Sequence, residues 1–158
     1  MGNSQFHDSP NNQQFKEIRA IVAFSGQTDF RWLKCLRPGF RHCFVWIECP
    51  SVTDNVNEGS WVLCNPLSHY TQVTVWPLQG EHILRTWLAN EGLFLVETIV
   101  QQPKCMALPW RPFTCVEVVK RVLGLQASMV FTPWQLYKYI KNENKMKKFL
   151  DIPNLLGY

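Results

Sequence analysis

Residues 40–50, "FRHCFVWIECP", alternate in the period-two rhythm of a half-buried strand. His42, Phe44 and Trp46 fall on one face and Cys43, Val45 and Ile47 on the other, and Pro50 closes the run. Upstream, the β-branched run "EIRAIVAF" predicts a first strand. "TDFRWLKCLR" has an Asx-type start with Phe30, Leu33 and Leu36 at spacing three, which predicts a short helix ended by Pro38 and Gly39. Downstream, "DNVNEGS" reads as a turn and "WVLCN" as the return strand of an antiparallel hairpin. "TQVTVW" is a further strand halted by Pro77, "GEHILRTWLAN" is helical, and "GLFLVETIVQ" returns to the sheet.

Two helices complete the pattern. "PFTCVEVVKRVLGL" predicts a helix with Val118, Val119 and Val122 as its buried stripe and Gly124 near its C-terminus; Lys120 and Arg121 favour its C-terminal half. "FTPWQLYKYIKN" opens with Thr132 as N-cap and Pro133 at the first helical position. Residues 1–15 are polar and rich in Asn and Gln, and read as a flexible arm. The remainder, 16–158, carries no repeat and no linker. The fold expected is one α+β domain around a central antiparallel sheet.

Composition supports a packed core, with 46% hydrophobic residues and 13% aromatics. The net charge of +4 is partly local, concentrated in "KNENKMKK". No aromatics interleave with that run, so it reads as a solvated helix face and no nucleic-acid partner is expected. No stretch has the length of a membrane span, and no signal peptide opens the chain. "MGNSQF" has Phe6 where a myristoylation signal takes Ser or Thr. Six scattered cysteines (Cys35, Cys43, Cys49, Cys64, Cys105, Cys115) without a CxxC pair read as reduced thiols, and neither a metal nor a cofactor is expected.

Two of these residues suggest chemistry together. Cys115 opens a helix, where the N-terminal dipole favours thiolate, and His42 starts a strand that should be central. An imidazole within reach of such a thiol can take its proton and return one to a leaving group. Trp46, Trp61, Trp76, Trp87, Trp110 and Trp134 are expected mainly as packing residues, with Trp110 best placed to line a cleft.

The order "RHCFVWI", "GSWVLCN", "PFTCVEVVKRVLGL" and "TPWQLYKYI" resembles the circularly permuted, YiiX-like branch of the NlpC-type, papain-like cysteine peptidases, over residues 18–140. In that branch the histidine precedes the cysteine. The resemblance implies a papain-like fold, with His42 as general base and Cys115 as nucleophile attacking an amide or ester. A peptide of peptidoglycan is the favoured substrate, and the lack of a secretory signal fits a cytoplasmic or phage-particle protein. The alternative is a papain-like interaction or assembly module that has lost its site. The residue that would orient the imidazole aligns most directly with Cys64, a poor partner for a ring nitrogen. Asn65 is chemically suited but would need a bulge or a one-residue shift. His69 is the third candidate, and a dyad remains if none serves. The small residues that follow the family histidine are replaced here by Cys43 and Phe44.

Overall fold

The computed structural model describes residues 17–28, 31–49, 60–76, 81–101 and 112–150. The N-terminal arm, the "DNVNEGS" turn up to residue 59, Cys105 and Trp110 lie outside these residues. Five strands, β1 (Arg19–Ser25), β2 (His42–Cys49), β3 (Ser60–Pro66), β4 (Thr71–Trp76) and β5 (Phe94–Ile99), form one sheet in the order β4-β3-β2-β1-β5. Every neighbouring pair is antiparallel. With the helices α1 (Glu81–Asn90), α2 (Cys115–Val122) and α3 (Pro133–Leu150), the architecture is α+β, as the hydrophobic pattern predicts.

Both faces of the sheet are covered, which explains why strand alternation is apolar on both sides rather than apolar and polar. On one face Ala20, Val22, Phe24, Cys43, Val45 and Cys64 pack against Val116 and Val119 of α2 and Leu136 and Ile140 of α3. On the other, Ile21, Trp46, Trp61 and Leu63 pack against Leu84 and Leu88 of α1. β2 is the middle strand, paired with β1 through Val22↔Val45 and with β3 through Val45↔Cys64. Its first residue, His42, stands opposite Ser25 at the end of β1.

Two helical expectations change in detail. Residues 31–35 form a 3-10 turn with no buried residue, not an α-helix. Spacing-three apolar positions suit a three-residue turn, and Leu33 and Leu36 are only half-buried. In α2 the buried stripe is Val116, Val119, Lys120 and Leu123, while Val118 and Val122 flank it and pack only partly. Lys120 therefore points inward. Its ammonium donates to the carbonyls of Ala127 (3.1 Å) and Val130 (3.0 Å) and pairs with Glu117 at 2.8 Å.

Chain punctuation follows the expected residues. Thr132 Oγ1 accepts from the Gln135 backbone N–H at 3.3 Å, and Gln135 Oε1 accepts from the N–H of Thr132 at 3.0 Å, a reciprocal cap ahead of Pro133. Gly124, with φ of +69°, ends α2 where a Cβ would come within 2.1 Å of the Gln101 carbonyl oxygen. Gly124→Ala adds a left-handed strain and a clash with rigid backbone. We expect it to cost about 1–3 kcal/mol, read as a lower urea midpoint at unchanged slope.

Candidate active site

Thr114 caps α2 in an extended conformation, and its Oγ1 accepts from the Glu117 backbone N–H at 3.2 Å. The cap makes Cys115 the first helical residue and holds its side chain at the helix mouth. In this first turn the backbone N–H groups of Cys115 and Val116 have no carbonyl one turn back to bond.

His42, Cys43 and Cys115 meet at the end of the sheet where β2 begins. Adjacent strand residues point to opposite faces, but at a strand's first residue the imidazole can reach around the sheet end to the helix mouth. Cys115 is hydrogen-bonded to the Cys43 thiol, to the His42 ring and to the Cys43 backbone. These contacts set its acidity. The bond from the Cys43 thiol contributes most, the bond and the charge of the His42 ring add to it, and together they outweigh burial, which acts the other way. The Cys115 thiol is lowered to about 5. Cys43 is fully buried, and its own thiol is pushed well up, chiefly by burial and then by facing Cys115. It stays protonated and donates.

The other side of the imidazole meets Asn65, whose Oδ1 lies 2.8 Å from His42 Nε2. That contact leaves Nδ1 for the thiol. The Asn65 amide is itself directed, because its Nδ2 donates to Gln72 Oε1 at 3.5 Å, so Oδ1 faces the ring. Contrary to the alignment expectation, no bulge or shift is needed. Leu63 stands opposite Trp46 in the β2–β3 register, so Asn65, two residues further, shares the face of Trp46 and His42. Cys64 stands opposite Val45, points into the core beneath α2, and has its thiol raised by burial. His69 is exposed in the β3–β4 turn and does not line the cleft. Glu48, which shares the strand face of His42, is bound to Arg19 at 2.7 Å.

No family model, curated protein or solved structure matches the chain. The site must therefore be read from its own geometry.

His42, Asn65 and Cys115 open into a cleft of about 910 Å³. Its walls include Trp32, Trp87, Phe113 and Phe131, all exposed large hydrophobics. Trp46 and Trp61 are buried instead, and Trp134 is half-buried beneath the Arg37 guanidinium, 3.6 Å from the ring centroid. Arg41 ties the 3-10 segment to the site by donating to the carbonyls of Gly26 (3.2 Å) and Lys34 (3.4 Å). Among the described residues no cluster of His, Cys, Asp or Glu could hold a metal.

Sequence reasoning missed Trp32, Arg41 and the role of Cys43. Trp32 had a usable signal, since its predicted helix placed Phe30, Leu33 and Leu36 inward and left Trp32 off that stripe. Cys43 had a weaker one: it alternates onto the face that α2 covers, next to the histidine.

Proposed function

We propose that this chain is a thiol hydrolase or acyltransferase of papain-like design, permuted so that the histidine strand precedes the nucleophile helix. The observation that carries the reading is the imidazole held between Asn65 Oδ1 on Nε2 and the Cys115 thiol. Cys115 thiolate attacks the carbonyl carbon of an amide or ester. The oxygen that gains charge is met by the N–H groups at the start of α2, which need no reorganisation to receive it. His42 gives its proton to the leaving amine or alcohol, then takes one from water or another acceptor as the thioester is resolved. Asn65 keeps the ring in the tautomer and plane that both transfers require.

The resemblance to the permuted NlpC-type peptidases has the same order and residue types, and by it a peptidoglycan peptide is the favoured amide. The competing reading, an interaction module with a lost site, drew its support from Cys64 at the orienting position. Asn65 in contact with the ring removes that support.

Acetylation by p-nitrophenyl acetate tests the proposal without a known substrate. A burst of nitrophenolate stoichiometric with protein, an acetyl group mapped to Cys115, and loss of both in Cys115→Ser are the expected results. Asn65→Ala should slow the burst by on the order of 10²-fold through a misaligned ring, while Cys64→Ala leaves it at the wild-type rate. Acetyl groups spread over the exposed thiols, with none favouring Cys115, would sink the reading.

A further inference from the structure

We propose that Cys43 is a resolving thiol: a hydroperoxide oxidises Cys115 to its sulfenic acid, and Cys43 closes that product into a reversible Cys43–Cys115 disulfide. This inference rests on the reactive Cys115 of the preceding section but not on any hydrolytic turnover. Acyl transfer uses the Cys43 thiol only as a donor, and its sulfur is otherwise unemployed.

The geometry singles out this pair. Cys43 lies in the core cluster beneath α2 and Cys115 packs against that same cluster, with the Cys43 thiol and backbone both facing the Cys115 sulfur. Cys43 is fully buried, which keeps outside thiols and oxidants from it, while Cys115 is only partly buried and faces the cleft. An oxidant arriving through the cleft therefore meets Cys115 first. The remaining described cysteines are placed elsewhere. Cys35 is exposed and bonds the Trp32 carbonyl at 2.9 Å, Cys49 ends β2 opposite Ser60, and Cys64 lies on β3 opposite Val45.

The chemistry balances in two steps. In the first, the Cys115 thiolate attacks one oxygen of the hydroperoxide. An S–O bond forms, the O–O bond breaks, and the alkoxide or hydroxide that leaves takes a proton from the imidazolium of His42 or from water. In the second, the Cys43 sulfur attacks the Cys115 sulfur. The S–S bond forms as the S–O bond breaks, and the departing hydroxide takes the Cys43 proton to leave as water. Oxidation removes the thiolate charge that faced Cys43, which eases loss of that proton. The product cannot acylate, because the attacking lone pair of Cys115 is no longer that of a thiolate. A thiol reductant restores both sulfurs.

The test treats the full chain with one equivalent of hydrogen peroxide at neutral pH, traps remaining thiols with N-ethylmaleimide in acidified denaturant brought to neutral pH with the reagent present, and maps peptides without reduction. The expected product is a Cys43–Cys115 link, lighter by two hydrogens, formed in parallel with loss of the nitrophenyl acetate burst and reversed with it by dithiothreitol. In Cys43→Ala, two or more equivalents of peroxide should carry Cys115 on to the sulfinic acid, more slowly because its main hydrogen-bond donor is gone, and dithiothreitol does not reverse that product. The wild-type map decides the matter even where that variant folds poorly. Cys115 oxidised to sulfinic acid with Cys43 still alkylatable, or Cys115 linked to another cysteine, overturns the inference and leaves the proposed function standing. Cys115 inert to peroxide and to iodoacetamide alike overturns both.

Discussion

Alkylation of Cys115 by iodoacetamide should already be fast at pH 6 and nearly flat from there to pH 8, while a free model thiol such as N-acetylcysteine gains about tenfold per pH unit over that range. The sign follows from the lowered thiol. A thiol at about 5 is mostly thiolate at pH 6 and loses reactivity only as pH falls through 5. An ordinary thiol near 8.5 has roughly one part in 300 as thiolate at pH 6. The gain is partly offset, because a less basic sulfur is a weaker nucleophile; with a Brønsted slope near 0.45 the loss is about 40-fold. The net advantage over such a thiol at pH 6 is therefore about tenfold, and the flat profile is the more diagnostic observation. His42→Ala removes a hydrogen bond and a charge, so the midpoint should rise and the rate at pH 6 should fall. A wild-type profile for Cys115, read by mass, that runs parallel to that of the model thiol would refute the thiolate–imidazole pair.

The largest stability loss is expected at Lys120. Its ammonium is buried, with three partners that are two loop carbonyls and the Glu117 carboxylate. Lys120→Met keeps the aliphatic stem but removes the ammonium from the Val130 carbonyl and leaves the Ala127 carbonyl only the Val130 N–H at 3.3 Å. Glu117 retains Arg121 at 3.1 Å, though its side chain is largely buried. Breaking a buried ionic cluster by removing one partner costs about 3–5 kcal/mol, against less than about 0.5 kcal/mol for a surface change such as Lys138→Met. For a domain of this size that corresponds to a fall in Tm of roughly 6–20 °C, measurable by calorimetry. Equal melting of the two variants would show that the inward lysine is not a structural tie between α2 and the segment leading to α3.

How much of this was legible in the sequence depended on whether a feature is local. Strand alternation at 42–49, the Thr132–Pro133 helix start and Cys115 at a helix mouth are set by neighbours in the chain, and all three stand where the pattern put them. The partner of His42 was not local. Choosing between Cys64 and Asn65 needed the β2–β3 register, and the intervening residues give no count from which register can be derived. Lys120 was misread for a related reason. The sequence reading used only its charge, yet four residues after Val116 and three before Leu123 it falls on the buried stripe, and two of its partners come from the loop beyond the helix. Cys43 entered the sequence reading only as a departure from the small residues that follow the family histidine, and strand alternation points it to the other face. Only at the strand's first residues do both faces reach the same helix mouth.

The convergence of His42, Cys43 and Cys115 also turns the usual logic of cysteine footprinting around. Unfolding ordinarily uncovers thiols and speeds their alkylation, and Cys43 and Cys64 should behave that way. Cys115 owes its reactivity to groups delivered from the opposite half of the chain, so denaturant should return it to an ordinary thiol and slow its alkylation at pH 6. One labelling experiment across a urea series would then carry two opposed signals. Their crossing point would report whether this corner of the sheet opens with the whole domain or ahead of it.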